Sequence, residues 1–359
     1  MIIGLDNQYR IVTQVCAALQ EGHIIALPTD TVYGFAVDGR NQQAIEHLAR
    51  IKKRETKPFV YFIDQQRISH YAYLAHERIL QRFIPGALTV ILKKRSGIDL
   101  PHSLETIGIR MPDMTFIHTL LDEFKHPLAV TSANRTGETP HTSPFDIAEH
   151  FTDIPLVING GTLISQPSTV LDCTLTPPVI RRKGVIPLIH IEQVHNDLLQ
   201  IDPGLRFNVL FICTGNSCRS PMAEAILRTL VEPQYCVVQS AGILPNAGMP
   251  ASKHAQTVVH DYGGTLEDHT SQPATPALIM WADAIFVMAQ RHLEYVRHLA
   301  PDARCKVQLL KAYRKRTSTQ EVADPVGQDL DAYFAVAKDM LPHLQAIAKD
   351  IKKRFTGGA

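Results

Sequence analysis

The stretch FNVLFICTGNSCRSPMAEA, residues 207–225, decides the fold of the second half of the chain. FNVLFI is apolar except for Asn208, the pattern of a strand buried on both faces. Five residues then separate Cys213 from Arg219, and Pro221 suits the first turn of a helix. A loop this short, leading straight into a helix, turns successive backbone N–H groups inward and adds the positive end of the helix dipole. It is a cradle for an anion, with the Cys213 sulfur at its floor. The same field stabilises negative charge on that sulfur, and Ser220 stands where its hydroxyl can donate to it. Arg219 carries a planar fork suited to two phosphoryl oxygens while the sulfur attacks phosphorus. Gly215 and Asn216 tolerate left-handed backbone, and Thr214, Ser217 and Cys218 complete the loop.

Outward from this unit, strands expected at 236–239, 284–288 and 305–310 alternate with helices expected at 221–231, 253–260, 290–299 and 328–353. Such alternation predicts a doubly wound parallel sheet with ligands beyond the carboxyl ends of its strands. Asp324, in the ADPVG segment after the last expected strand, is placed where a carboxyl can protonate a departing group.

Upstream, short apolar runs at 23–29, 58–63, 87–94, 107–112, 127–134, 155–158, 168–173 and 178–184 are separated by helical patterns around 12–19, 42–51 and 116–121. This spacing predicts a mixed α/β domain built on one large sheet. Its polar residues cluster at strand ends: Thr29, Asp30, Thr31 and Tyr33 in LPTDTVYG, Ser132 and Asn134 in TSAN, and Ser168 at the start of a further strand. Lys52 and Arg54 in IKKRETKP are two cations suited to a triphosphate. On residue chemistry alone this half is an anion-binding domain. The periodic pattern weakens towards Asp202-Pro203-Gly204, which predicts a first domain over 1–195, a linker over 196–205 and a second domain over 206–359.

The charge balance, 36 Lys plus Arg against 35 Asp plus Glu, provides no global field for nucleic acid, so any basic site is local. Six cysteines in 359 residues are too few for a disulfide scaffold. No apolar run is long enough to span a bilayer and no signal-like start is present, so a cytoplasmic protein without a membrane partner is expected.

The half from about 206 to 355 resembles the low-molecular-weight protein phosphatase family. The resemblance rests on CTGNSCRSPMAEA, the SAG of Ser240 to Gly242, the N-x-G of Asn246 to Gly248, His269, the ADAIFVM strand and the Asp-Pro dipeptide. It implies that Cys213 is the nucleophile, Arg219 the phosphate clamp, Asp324 the general acid, Asn216 the loop organiser and Ser220 the support of the thiolate, with no cofactor and no metal. Cys218 matches the family's second cysteine, which forms a reversible disulfide with the nucleophile. Phosphoproteins are the implied substrates. Members acting on phosphotyrosine carry aromatic residues after the Asp-Pro and after SAG, where this chain has Val326, Gly327 and ILPN. Members acting on phosphoarginine resemble CTGNTCRS, and here the small hydroxyl residue is Ser217. The comparison favours phosphoarginine slightly over phosphotyrosine.

Residues 8 to 190 resemble the Sua5/YrdC family through PTDTVYG, K-x-R, PGALTVILKK, IGIRMP, SAN, STV and a closing R-x-G. The resemblance implies synthesis of threonylcarbamoyl-AMP from L-threonine, bicarbonate and ATP, for the threonylcarbamoyladenosine modification of tRNA. By motif position Thr29, Arg110 and Ser168 would contact threonine, and Lys52, Arg54, Ser132, Asn134 and Arg182 would contact ATP, with Mg²⁺ on its phosphates. tRNA or tRNA-modification proteins are the further implied partners. No general base is evident, so positioning and electrostatics would carry the chemistry. Two departures are Arg182-Lys183-Gly184 in place of Arg-Pro-Gly, and Tyr61 or Phe62 where a His often stands. The competing reading is a non-catalytic module binding double-stranded RNA through RIKKRETK and RRKG.

Overall fold

The computed structural model describes residues 1–6, 8–53, 58–101, 103, 105–163, 166–313 and 320–357. The chain divides into two units, Met1–Ile186 and Pro187–Ala359. Both are α/β, the first with a mixed sheet and the second with a parallel one.

The first unit runs β1 (Ile2–Gly4), α1 (Gln8–Gln20), β2 (Ile25–Leu27), β3 (Gly34–Asp38), α2 (Gln42–Ile51), β4 (Val60–Phe62), α3 (Ile68–Tyr71), α4 (Glu77–Phe83), β5 (Leu88–Lys93), β6 (Thr106–Arg110), α5 (Thr115–Phe124), β7 (Leu128–Ser132), α6 (Pro144–His150), β8 (Leu156–Asn159), β9 (Thr169–Asp172) and β10 (Val179–Arg182). The strands lie in the order β1-β8-β2-β3-β7-β4-β6-β5-β9-β10. Pairing alternates in sense: β3 is antiparallel to both β2 and β7, while β4 is parallel to β6 and β5 parallel to β9. Ile11, Val15 and Leu19 of α1 and Phe116, Leu120 and Phe124 of α5 share the core beneath this sheet, each set at the spacing of one helix face. The strand β3 was not expected, because GFAVD follows a polar turn and carries no alternation of its own. Register against β2 and β7 makes it a strand, and it is buried throughout. As a result the loop 28–33 is a connection between two paired strands, held at both ends.

The second unit contains α7 (Leu188–His195), β11 (Gln200–Ile201), β12 (Phe207–Cys213), α8 (Arg219–Leu230), β13 (Cys236–Gly242), α9 (Lys253–Asp261), α10 (Pro276–Trp281), β14 (Ala284–Val287), α11 (Gln290–Leu299), β15 (Val307–Leu309) and α12 (Leu330–Thr356). Strands β13, β12, β14 and β15 form a fully parallel sheet in that order. The chain passes from β12 to β13 on one side and later crosses to β14 on the other. This reversal opens a crevice beyond the carboxyl ends of β12 and β14, the place where such sheets bind ligands. Helix α12 is capped by Asp329, whose carboxylate accepts the Ala332 N–H at 3.0 Å, and ends at Gly357 in left-handed backbone. Among the described residues no helix is long and apolar enough to cross a membrane.

Helix α7 groups with the second unit, although the weakening sequence pattern puts residues 187–195 at the end of the first domain. It is tied there by the Gln193 side chain, whose Nε2 donates to the Cys305 carbonyl at 3.0 Å, and by an ion pair. Arg354 of α12 donates from Nε and Nη2 to the two oxygens of Glu192, both at 2.8 Å, with both side chains buried. Its guanidinium also lies over the Phe207 ring at 4.5 Å. Removing one partner of such a pair strands the other charge, at a cost of about 3–5 kcal/mol. Arg354→Ala is therefore expected to destabilise the second unit by that amount in urea unfolding, and a chain beginning at residue 206 to unfold several degrees lower than one beginning at residue 187. Equal midpoints for the two chains would show that α7 is not part of this unit.

Candidate active sites

In the second unit β12 delivers Cys213 to the crevice and α8 begins at Arg219, two positions before the expected start at Pro221. Cys213 is buried, with Ser220 Oγ 3.0 Å from its Sγ and the Asn216 N–H donating to the sulfur at 3.3 Å. Of the two residues expected to take left-handed backbone, Asn216 does so, at φ +54, and Gly215 does not. Asn216 is fully buried and every polar group of its side chain is engaged. Its Nδ2 donates to Ser220 Oγ at 3.0 Å and Ser240 Oγ at 2.8 Å, and its Oδ1 accepts the Gln272 N–H at 2.9 Å. His269 Nε2 lies 2.8 Å from the Asn216 carbonyl. Gly242, at the end of β13, comes so close that a Cβ there would stand 2.6 Å from the Thr214 carbonyl oxygen. The SAG segment is thus the wall against which the loop is pressed.

Arg219 is buried beside the loop. It donates from Nη1 to the Val322 carbonyl at 3.3 Å, from Nη2 to Thr214 Oγ1 at 3.4 Å, and pairs through Nη2 with Asp324. Asp324 is the exposed member of this pair, at 38% side-chain exposure against 4%. Arg291 approaches the same carboxylate at 3.7 Å and donates to Thr214 Oγ1 at 2.8 Å. A cleft of about 350 Å³, lined by Arg219, Ala289, Arg291, Glu321, Val322, Ala323 and Asp324, adjoins them. Arg291 and the neighbouring His292 escaped the sequence reading. Their one signal is position, just past the end of the strand that borders the crevice. Cys218 is buried, its Sγ 3.2 Å from Tyr333 Oη and 3.5 Å from Ser252 Oγ, and burial raises the Tyr333 phenol above its ordinary value. Ser217 is half-buried, and both Cys213 and Cys218 are free thiols.

In the first unit a cavity of about 260 Å³ gathers Thr29, Arg110, Ser132, Asn134, Ser168 and Arg182, six of the eight residues singled out from sequence. Thr29 Oγ1 donates to the Val32 carbonyl at 2.7 Å, which shapes the loop after β2. Arg110 donates from Nε to the Gly86 carbonyl at 3.1 Å and from Nη2 to Asp30 at 2.5 Å. Burial lowers the Arg110 guanidinium below its ordinary value, Asp30 opposes that, and the field of Arg182 adds to the lowering. Buried Arg110 and exposed Arg182 both line the cavity, two cations suited to an anionic group. Arg182 donates from Nη2 to Ser168 Oγ at 3.0 Å, and Ser168 Oγ lies 2.8 Å from Thr89 Oγ1. Gly184 allows this packing, since a Cβ there would stand 2.2 Å from the Pro167 carbonyl oxygen. Tyr33, Thr89, Thr131 and Glu138 complete the polar lining, while Val60, Phe62 and Val130 form an apolar side.

Lys52 is placed differently from the expected phosphate contact. It is buried under the SAN turn, where Nζ donates to the Ser132 carbonyl at 2.7 Å, to Asn134 Oδ1 at 2.8 Å and to the Asn134 carbonyl. Ser132 and Asn134 do meet, with Ser132 Oγ donating to Asn134 Oδ1 at 2.6 Å. The reason is a tight turn, in which the Asn134 N–H returns to the Ser132 carbonyl at 3.0 Å, and not an extended strand. Arg54 lies outside the described residues.

The crevice with its anion loop and the polar cavity define a pair of α/β domains, each with a site lined by arginine side chains. The family model described as telomere recombination, Sua5/YciO/YrdC, matches residues 17–184, and that described as low molecular weight phosphotyrosine protein phosphatase matches residues 208–356. The first half is 33% identical over 191 residues to the threonylcarbamoyl-AMP synthase of Pyrococcus abyssi, covering 50% of this chain and 56% of that protein. It is 32% identical over 232 residues to the threonylcarbamoyl-AMP synthase of Bacillus subtilis, covering 57% of this chain and 67% of that protein. The second half is 33% identical over 148 residues to the protein-arginine-phosphatase of Bacillus subtilis, covering 41% of this chain and 97% of that protein. The solved structure of P. abyssi Sua5 complexed with L-threonine has a similar fold, at TM-score 0.53 and 21% identity over 97% of this chain and 98% of that one. The chain belongs to the Sua5/YciO/YrdC family in its first half and to the low-molecular-weight phosphatase family in its second.

Because Lys52 satisfies two carbonyls and an amide oxygen in a buried turn, Lys52→Met is expected to destabilise the first unit by about 2–4 kcal/mol, the cost of leaving such acceptors unpaired. Thermal unfolding followed by circular dichroism measures it. A change below about 0.5 kcal/mol would show that Lys52 does not hold the turn.

Proposed function

We propose that the chain is a bifunctional enzyme: a threonylcarbamoyl-AMP synthase in its first half and a cysteine-dependent phosphoprotein phosphatase in its second. The observation that carries the phosphatase reading is the meeting of Cys213, Ser220, Arg219 and Asp324 around one loop, from positions up to 111 residues apart. In the substrate-free site the Asp324 carboxylate occupies Arg219. A phosphoryl group entering the loop takes over the guanidinium and frees Asp324 for the leaving group. Asp324, released from Arg219, takes a proton from solvent; Cys213 sulfur then bonds to phosphorus as the bond to the leaving nitrogen or oxygen breaks, and Asp324 passes that proton to the leaving atom. Water next displaces the cysteine from phosphorus, with the Asp324 carboxylate taking the proton. Loop N–H groups and Arg219 stabilise the charge on the phosphoryl oxygens throughout.

The side walls favour phosphoarginine over phosphotyrosine. Leu244, whose N–H donates to the Thr214 carbonyl at 3.0 Å, and Val326, two residues past Asp324, are exposed aliphatic side chains at 73% and 64%. They suit the methylene chain of an arginine and provide no ring to stack on a phenol.

For the first half, convergence of Arg110, Arg182, Ser168, Ser132 and Asn134 on one cavity supports a set of small ligands bearing carboxylate or phosphate groups, L-threonine, bicarbonate and ATP. The cavity form favours synthesis over the RNA-binding module. The reaction couples the threonine carbamate to the ATP α-phosphorus and releases pyrophosphate. Arg110 and Arg182 hold negative charge, and the hydroxyls orient the amino acid. In this reading Mg²⁺ enters on the nucleotide phosphates. Modification of tRNA and a cytoplasmic setting follow from this activity.

The whole chain is expected to release pyrophosphate from ATP only when threonine and bicarbonate are both supplied with Mg²⁺, and Arg110→Ala to raise the KM for threonine at least about tenfold. Binding of tRNA with no threonine-dependent pyrophosphate would replace the synthase by the RNA module.

For the second half, Cys213→Ser is expected to abolish phosphate release while still binding inorganic phosphate. Asp324→Asn should cost about 10²–10⁴-fold in kcat on phosphoarginine and less on an aryl phosphate with a good leaving group. In competition assays the parent should favour phosphoarginine in kcat/KM, and Ser217→Ile should move the ratio towards phosphotyrosine. A parent that prefers phosphotyrosine, with a ratio indifferent to Ser217→Ile, would establish the tyrosine-phosphatase alternative.

A further inference from the structure

His292, the third residue of α11, lies completely buried against the anion loop. Its Nε2 is 3.0 Å from Thr214 Oγ1, and the Arg291 Nε–H points at the same nitrogen from 3.5 Å. Thr214 Oγ1 in turn accepts from Arg291 Nη2 at 2.8 Å and Arg219 Nη2 at 3.4 Å. Donor counting settles the arrangement. Guanidinium groups only donate, so the Thr214 oxygen is used as their acceptor and its single proton is left for His292. Nε2 faces that hydroxyl and a guanidinium N–H, so it is the unprotonated nitrogen. The ring proton is therefore on Nδ1, which is the one buried side-chain nitrogen or oxygen without a partner among the described residues. A ring packed only for its volume would not forgo a hydrogen bond in this way, because an apolar side chain would fill the space without that loss. The charged groups facing the ring agree with a neutral imidazole. Burial, Arg219 and Arg291 push the His292 value down to about 4, with Asp324 opposing.

We propose that His292 is a positioning residue which, accepting through Nε2, orients the Thr214 hydroxyl so that Arg219 and Arg291 are held together as a pair of guanidinium groups for one phosphoryl group. The inference rests on the phosphatase reading and adds Arg291 to its anion site. In the substrate-free protein both guanidinium groups face Asp324. When phosphate replaces that carboxylate, both are already aimed, and the cost of gathering two flexible cations has been met by folding. A protonated His292 would instead present a third positive charge and leave the Thr214 hydroxyl without its acceptor.

Two measurements on the whole protein test this. Imidazole ¹⁵N NMR of the parent should show His292 as the neutral Nδ1–H tautomer from pH 7 down to about pH 5. An Nε2–H tautomer, or an imidazolium in that range, overturns the proposal whatever the variants do. Second, His292→Leu should weaken binding of inorganic phosphate about tenfold and raise the KM for p-nitrophenyl phosphate by a similar factor, with kcat changed less than about threefold. His292→Gln, whose Oε1 can accept where Nε2 did, should recover most of that loss. A folded His292→Leu that binds phosphate like the parent overturns the proposal, as does a His292→Gln that is no better than His292→Leu. The phosphatase reading fails separately, if a parent with the stated ring tautomer and phosphate affinity hydrolyses neither p-nitrophenyl phosphate nor phosphoarginine.

Discussion

The chemistry of the second unit depends on the Asn216 side chain, which touches no reacting atom. A phosphate loop must gather its N–H groups inward before any anion is present, and those groups repel one another. Asn216 resists that repulsion by taking a left-handed conformation and spending its amide on Ser220, Ser240 and the Gln272 N–H. One side chain thereby ties the loop to α8, to β13 and to the segment after α9. Its own N–H remains directed at the Cys213 sulfur. An amide of this size suits the position, since a hydroxyl cannot donate twice and accept at a third point. The loop is thus preorganised from behind, and the anion site in front is left to Arg219 and the backbone.

The first unit reaches preorganisation by a different route, through cations anchored to carbonyls. Lys52 holds the SAN turn through main-chain oxygens, Arg110 is fixed by the Gly86 carbonyl and Asp30, and Arg182 by the Ser168 carbonyl and hydroxyl. Neutral acceptors orient a guanidinium without cancelling its charge. Asp30 is the exception, and it neutralises only the buried member of the pair. What remains is a cavity lined by two anchored guanidinium groups, several hydroxyls and the Glu138 carboxylate.

Legibility followed sequence distance. Cys213, Arg219 and Ser220 lie within eight positions, so the strand, loop and helix that join them also set their mutual geometry, and the residue types were enough to read the site. Asp324 is 105 positions from Arg219; a lone Asp-Pro reads as a turn, and its place after the last expected strand, together with likeness to a family, marked it out. Arg291 and His292 carried no mark beyond their position past the end of β14, since Q-R-H at a helix start reads as a solvated end. Lys52 was marked as a cation for phosphate because the sequence does not show that three oxygens of a turn some 80 residues later close over it. Likewise GFAVD has no strand signal of its own, and its pairing with β2 and β7 made it one.

By itself the sequence determined the two α/β halves, the anion loop with its nucleophile and arginine, and the set of hydroxyl and basic residues at the strand ends of the first half. These follow from periodicity and from contacts between near neighbours, which the covalent chain enforces. Tertiary structure alone decided that α7 belongs with the second unit, that Lys52 supports a turn, that Asp324 lies against Arg219, and that His292 and Arg291 stand behind Thr214. Each is a pairing of charges or hydrogen-bond donors across 70 or more positions. A charged or polar side chain has the same sequence signature whether water or a distant partner solvates it, and only the packed fold chooses between them.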